Sequence, residues 1–281
     1  LIKDEKIYDS SLFLYYADLS DDASLRRIFF KVNPDEIYHL AGQSHVALSF
    51  EIPELTTLEI ANSTLKLLEI CRDQKKFLKV YLAGSSEIFG NAREPYQTEE
   101  SALNPTSPYG VCKAFCVQMG QVYRSGYGMH VTNGILYNHE SPRRGESFVT
   151  QKIVKGLIQI KYKKQRTLYL GNIYSKRDWG HAKDYVVAMW KMLQQKKPRD
   201  FVIGTGKTHS VKEFCKIAFS HVGLDYKKFL KINKKFYRPT EVDLLVADYS
   251  YAKKKLKWKP EISFKELVIE MVESDLKYIK K

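Results

Sequence analysis

The feature that most restricts the fold is an alternation of two periods along the chain. Short apolar runs of strand character are each followed by a longer stretch with helical spacing. Leu12 to Tyr16 reads as a short strand, with a helix expected from about Asp21 to Val32. Asp35 to Leu40 reads as a buried strand before a helix from about Pro53 to Arg72. Leu78 to Leu82 is the next expected strand, a helix runs from Ser107–Pro108 to about Tyr123, and Val131 to Tyr137 is a further strand. Strands and helices alternating in this way bury their apolar faces as a parallel sheet covered on both sides. The expected fold is therefore α/β, a Rossmann-like doubly wound parallel sheet.

After about residue 145 the pattern loosens. Short strands at Thr167 to Gly171 and Asp200 to Ile203, and a last amphipathic helix from about Phe264 to Tyr278, suggest a smaller C-terminal α/β lobe. The expected division is residues 1–145 and 146–281. No repeat or low-complexity segment interrupts the chain.

In a doubly wound sheet, ligands sit beyond the carboxyl ends of the strands. The residues just after each expected strand are Asp18, then Ala41-Gly42-Gln43-Ser44, then Ser85-Ser86-Glu87, then Asn138-His139. All are small or polar although the runs before them are apolar, which points to one continuous ligand crevice.

The strongest local signal is Ser107-Pro108-Tyr109-Gly110-Val111-Cys112-Lys113. Ser107 suits a helix N-cap and Pro108 the first helical position. Tyr109 then lies in the first turn, at the positive end of the helix dipole, with Lys113 one turn on along the same face. An ammonium beside a phenol favours the phenolate, the form that takes a proton from a sugar hydroxyl. A tyrosine and a lysine at this spacing also arise by chance on solvated surfaces. The serine and glutamate of Ser85-Ser86-Glu87, after the preceding strand, set this pair apart. Ser85 can share the hydroxyl with Tyr109, and Glu87 supplies a second acid/base group. Two proton-handling groups suit a reaction that goes beyond simple oxidation.

Composition excludes some classes. No apolar run approaches the roughly 18 residues of a membrane span, and no charged and then apolar leader opens the chain. Cys71, Cys112, Cys116 and Cys215 form no C-x-x-C pair, so no metal site is expected, and free thiols of a reducing cytoplasm are. The net charge of +14 could attract nucleic acid. Its lysines are scattered as surface pairs without interleaved aromatics, so a solvated surface is the reading and no nucleic-acid partner is expected.

More specific stretches carry a resemblance. Asn133 to Thr150 (with Asn138-His139-Glu140-Ser141-Pro142-Arg143-Arg144), Lys176-Arg177-Asp178-Trp179 and Tyr237-Arg238-Pro239-Thr240-Glu241 resemble the GDP-mannose 4,6-dehydratases. These are members of the extended short-chain dehydrogenase/reductase family. The similarity runs from about Tyr16 to Leu276.

The resemblance implies oxidation at carbon 4 of GDP-mannose, water elimination across carbons 5 and 6, and hydride return to carbon 6. The product is GDP-4-dehydro-6-deoxy-mannose. It implies Tyr109 as base, Lys113 as its partner, Ser85 in place of a usual threonine, and Glu87 as the group that deprotonates carbon 5. It implies NADP held by Asp18, Leu19, Leu40, Ala41, Gly42, Gln43, Ser44, Tyr109, Lys113, His139 and Arg144, mainly in residues 1–145. For the GDP-sugar it implies Ser86, Asn138, Thr150, Lys152, Arg177, Arg238 and Glu241. Arginine forks suit a diphosphate because they bind two oxygens at once. Leu55 stands where a cofactor-touching tyrosine is usual, and Gln151 replaces a basic residue. A homodimer or homotetramer is expected.

The resemblance also implies a strand, a glycine-rich turn and a helix before Leu1, roughly 45 to 65 residues or one βαβ unit with its loop. The expectation is a fragment of a longer product. A second reading is a truncated, catalytically incompetent homologue that serves at most as a partner subunit.

Overall fold

The structure is a computed structural model that describes residues 10–74, 76–237, 240 and 244–279. The first helix, α1 (Asp22–Val32), is capped by the Asp21 carboxylate, which accepts from the Ser24 N–H, and ends where Asn33 turns left-handed at φ 46°. Strand β1 (Glu36–His39) follows, then α2 (Leu48–Glu51), α3 (Pro53–Thr57), a π-helical turn (Leu58–Asn62) and α4 (Ser63–Arg72). Next come β2 (Lys79–Ala83), α5 (Pro108–Gly126), β3 (His130–Leu136), β4 (Asn138–Glu140) and α6 (Val149–Lys161). The chain continues through β5 (Leu168–Leu170), β6 (Lys176–Arg177), β7 (Trp179–His181), α7 (Ala182–Leu193) and β8 (Phe201–Ile203). It ends with β9 (His209–Ser210), α8 (Val211–His221), β10 (Leu230–Ile232), α9 (Ser250–Leu256) and α10 (Phe264–Ile279).

The main sheet has the order β1-β2-β3-β8 with every pairing parallel, as the alternating pattern predicts. Side chains of a strand alternate between faces, and β2 shows the consequence. Val80 and Leu82 pack with Phe29, Leu67, Leu68 and Tyr123 on one side, whereas Tyr81 packs with Tyr185, Met189 and Phe201 on the other. Both faces of β2 are dry at Val80, Tyr81 and Leu82, so this strand reads as a continuous apolar run.

A second core fills the other lobe, where α6, α8 and α10 pack Ile153, Leu157, Phe214, Phe219, Val268 and Met271 around Trp179. Of the two short strands expected after residue 145, β5 lies beside β10 in this lobe, while β8 returns to the main sheet.

Two local expectations fail. Leu12 to Tyr16 forms no strand beyond an isolated bridge at Leu12. Phe13, Leu14 and Tyr16 are exposed, and no described strand lies alongside to supply the ladder of backbone partners that a strand requires. The single helix expected over Pro53 to Arg72 is interrupted by the π turn. There Ser63 and Thr64 hydroxyls donate back to the Glu59 and Ile60 carbonyls, and the Cys116 thiol donates to Ile60 from α5. Side-chain donors that take up helical carbonyls loosen the regular ladder.

Candidate active site

The site is assembled at the carboxyl ends of β2 and β3. After β2 the chain makes a 3-10 turn (Ser86–Ile88), capped by Ser85, whose hydroxyl oxygen accepts the Glu87 N–H at 3.3 Å. Ser85 and Ser86 are buried and Glu87 is half-buried. Helix α5 starts beside this turn. The Ser107 hydroxyl oxygen accepts the Gly110 N–H at 3.0 Å and Pro108 begins the helix, as the sequence signals predict.

Two contacts lock α5 to the end of β2. The Lys113 ammonium donates to the Ala83 carbonyl at 2.8 Å, two residues before Ser85, with its nitrogen 5.9 Å from the Tyr109 ring centroid. A β-carbon on Gly110 would stand 2.8 Å from the Glu87 carbonyl oxygen, so only glycine lets the first turn of α5 close on the Glu87 turn. Tyr109 is 8% exposed, and its N–H donates at 3.2 Å to the hydroxyl of Ser49 on α2. The four expected catalytic residues, Ser85, Glu87, Tyr109 and Lys113, thus come from two adjoining pieces of chain.

Beyond β3, the pairing of β4 with β7 sets Asn138, His139 and Glu140 in line. The His139 ring nitrogen Nδ1 lies 2.9 Å from the Tyr137 carbonyl, an acceptor, so Nδ1 carries the proton and Nε2 is the acceptor. Burial lowers the His139 pKa, which keeps the ring neutral. The ring stacks on Tyr185 at 4.7 Å. Gly180 admits that tyrosine, because a β-carbon there would stand 2.4 Å from the Tyr185 ring.

Glu140 is buried. Its Oε2 accepts from the Thr150 hydroxyl at 2.8 Å and lies 3.1 Å from Arg144 Nε. Burial raises its pKa to about 6, against the opposing pull of Arg144 and Thr150. The Arg144 guanidinium lies 3.4 Å from the Phe148 ring centroid. Sequence reasoning quoted Glu140 within a motif without giving it a role; a carboxylate between two expected ligand-binding residues was the available signal.

The remaining expected residues lie on other elements. Lys152, on α6, sets its ammonium 3.6 Å from the Phe236 ring centroid, and burial lowers its pKa. Arg177 lies on β6, facing His209 of β9, and its Nη1 donates to the Lys176 carbonyl at 2.8 Å. Arg238 and Glu241 lie outside the described residues. Leu40, Ala41, Gly42 and Ser44 form an exposed loop after β1, where Gly42 has a φ of 129° and Gln43 donates to the Thr56 hydroxyl at 3.2 Å. Asp18 and Leu19 precede α1, and the Ser20 hydroxyl and N–H, at 2.6 and 2.7 Å, hold the Asp18 carboxyl below its ordinary pKa.

The two departures from the family pattern differ in meaning. Leu55 is exposed on α3. Gln151 is buried and donates to Asp275 at 2.9 Å, so it faces α10 rather than the crevice. All four cysteines are buried thiols without disulfide partners. Among the described residues no group of His, Cys, Asp or Glu could hold a metal ion, and no helix is long and apolar enough to cross a membrane.

The parallel sheet, its two-sided helical cover and the Ser–Tyr–Lys arrangement at its carboxyl edge define a Rossmann-like protein of the short-chain dehydrogenase/reductase type. Solved structures share this fold. RMD from Pseudomonas aeruginosa, complexed with NADPH, superposes with a TM-score of 0.85 at 20% identity, over 95% of this chain and 89% of that one. A UDP-glucose 4-epimerase from Thermotoga maritima gives 0.85 at 24% identity, over 98% and 88%. Within the class, the family model for GDP-mannose 4,6 dehydratase matches residues 1–271. GDP-mannose 4,6 dehydratase 1 of Arabidopsis thaliana is 50% identical over 95% of this chain and 75% of its own length. The Vibrio cholerae GDP-mannose 4,6-dehydratase is 43% identical over 99% and 82%. The chain belongs to the GDP-mannose 4,6-dehydratase family.

Proposed function

We propose that the protein converts GDP-mannose to GDP-4-dehydro-6-deoxy-mannose, with NADP as the nicotinamide cofactor. The observation that carries the reading is the docking of the Glu87 turn against the first turn of α5. It sets the main chain of Glu87, the proposed second acid/base group, against the helix that carries Tyr109 and Lys113. An oxidoreductase that only moves a hydride needs one such group; an elimination needs another.

Features of the chain fit the cofactor. Neutral His139 offers an acceptor at Nε2, suited to a carboxamide N–H. Lys113 offers an ammonium beside Tyr109, suited to ribose hydroxyls. The exposed backbone around Gly42 admits close approach. Asp18, Leu19, Leu40, Ala41, Gln43, Ser44 and Arg144 complete the proposed set. When bound, NADP would accept a hydride from carbon 4 and return it to carbon 6.

The protein's own residues do the rest. Tyr109 takes the proton from the carbon 4 hydroxyl, and Ser85 holds that hydroxyl in place. The resulting ketone acidifies carbon 5, from which Glu87 removes a proton. The carboxylic acid so formed stands ready to protonate the departing carbon 6 hydroxyl, which leaves as water; with hydride return to carbon 6, carbon 5 would take back one proton, which balances the one Tyr109 accepted from the carbon 4 hydroxyl. Ser86, Asn138, Thr150, Lys152, Arg177, Arg238 and Glu241 are proposed to hold the GDP-sugar. The proposed assembly is a homodimer or homotetramer.

The test is turnover of GDP-mannose with NADP supplied, on this chain and on a version extended by any upstream reading frame, with product followed by mass. Loss of one water from the sugar nucleotide supports the reading. No product in either form, with Tyr109 and Glu87 intact, would overturn it and favour a catalytically incompetent homologue.

A further inference from the structure

Glu140 has no step in the chemistry above, yet two residues assigned to different ligands meet on one of its oxygens. Thr150, proposed for the sugar nucleotide, donates its hydroxyl to Oε2 at 2.8 Å. Arg144, proposed for the cofactor, places Nε 3.1 Å from the same oxygen. The Arg144 contact is attraction between charges without an aligned hydrogen bond: its buried Nε has no hydrogen-bond partner among the described residues. The arginine is thus held by charge and by the Phe148 ring beneath it, 3.4 Å from the guanidinium to the ring centroid.

The contacts extend in both directions. Phe148 packs against the His45 ring at 5.5 Å, and the His45 N–H is bonded to the Gln43 side chain in the loop after β1. Thr150 and Lys152 lie on the first turns of α6, for which Phe148 is the N-cap residue. A continuous line of touching side chains therefore runs from the loop proposed for the cofactor, through Phe148, Arg144 and Glu140, to the helix proposed for the sugar nucleotide.

We propose that Glu140 is a positioning residue that couples the two ligands. Fixing Arg144 on a bound cofactor orients the shared carboxylate, which sets the Thr150 hydroxyl and the start of α6 for the sugar nucleotide, and the reverse holds by linkage. The inference rests on the dehydratase reading, because it takes its ligands from there. A purely structural carboxylate would satisfy Thr150 and leave the two affinities independent.

Calorimetric titration of the full chain with GDP-mannose, with and without saturating NADP, tests it. The expected result is an affinity for GDP-mannose that tightens about 5-fold or more when NADP is present, within the usual range of coupling between sites. In Glu140→Gln, which keeps the size and an acceptor for Thr150 but loses the charge, that tightening falls to within about twofold of none. Glu140→Asp recovers part of it. Thr150→Ser keeps the coupling and Thr150→Val loses it, which preserves the test if Glu140→Gln folds poorly. Wild type that binds both ligands independently, or a folded Glu140→Gln that keeps the full tightening, would overturn the coupling while leaving the dehydratase reading in place. Wild type that binds neither ligand, in this chain and in the upstream-extended version alike, would remove that reading, and the coupling with it.

Discussion

The Glu87 carbonyl oxygen lies 2.8 Å from the point where a β-carbon on Gly110 would stand, so the turn that carries one proposed acid/base group rests on the helix that carries the other. Both sides of the contact are main chain near that point, and neither can swing away as a flexible side chain would. Gly110→Ala must therefore separate the Glu87 turn from Tyr109. A displacement near 1 Å costs on the order of 10²-fold in rate where positioning matters. The expected outcome is a fall in kcat of about that size, with a stability loss of roughly 1–3 kcal/mol from overpacking. Turnover and urea denaturation measured on the same variant check both.

The proposed roles of Tyr109 and Glu87 lie in different steps, so the two should fail differently. Tyr109→Phe removes the proposed base for the carbon 4 hydroxyl, and kcat should fall by about 10²–10⁴-fold with little change in KM. Glu87→Gln should stop water loss while leaving oxidation at carbon 4 possible. The check is single-turnover absorbance of reduced nicotinamide alongside product mass. Equal loss of both signals in Glu87→Gln would contradict the assignment.

Asp178 anchors the loop after β8. It is 1% exposed and accepts from the Thr205 N–H at 2.8 Å, the Thr205 hydroxyl at 2.6 Å, the Gly206 N–H at 2.9 Å and the Ala247 N–H at 3.2 Å. Asp178→Ala leaves these donors without their acceptor and should cost about 1–3 kcal/mol. Asp178→Asn, which keeps one acceptor, should cost less. Urea midpoints at constant m-value measure the difference.

Glu140 gives stability a definite pH dependence. Burial raises its pKa from 4.5 to about 6 in the folded protein, with Arg144 pulling the other way and His139, His181 and Tyr185 as its titratable neighbours on β4, β7 and α7. A raised acid pKa means the folded state prefers the protonated form. The contribution is fully present below pH 4.5 and is lost as pH rises through about 6. At about 1.4 kcal/mol per unit, the loss is roughly 2 kcal/mol. Glu140→Gln lacks this loss, so its stability relative to wild type should rise by about that amount across the window. Urea denaturation at several pH values between 4 and 7 reads it directly.

The main sheet was legible because its signals are local. Val80-Tyr81-Leu82 is apolar on both faces, Val131, Ile135 and Leu136 frame a second strand, Ser107–Pro108 announces the start of α5, and Asp21 caps α1. Over Leu12 to Tyr16 the strand expectation went too far because apolar and aromatic character states only that a segment could pair, and of these residues Leu12 alone takes part in a bridge. The break at Leu58–Asn62 was harder to see because one of its contacts comes from Cys116, far along the chain, donating to the Ile60 carbonyl beside the local Ser63 and Thr64 hydroxyls.

The sequence by itself determined the class of sheet, the Tyr109–Lys113 spacing, and the specific stretches around His139, Arg177 and Arg238 that mark the family. Those features are periodicity, spacing and identity, all of which exist before folding. Only the tertiary structure decided that Gly110 is where two pieces of chain meet, that Gln151 turns away from the crevice, and that one oxygen of Glu140 serves both Arg144 and Thr150. Such facts depend on distances between residues and on which groups lose water, and neither is set until the two lobes have packed.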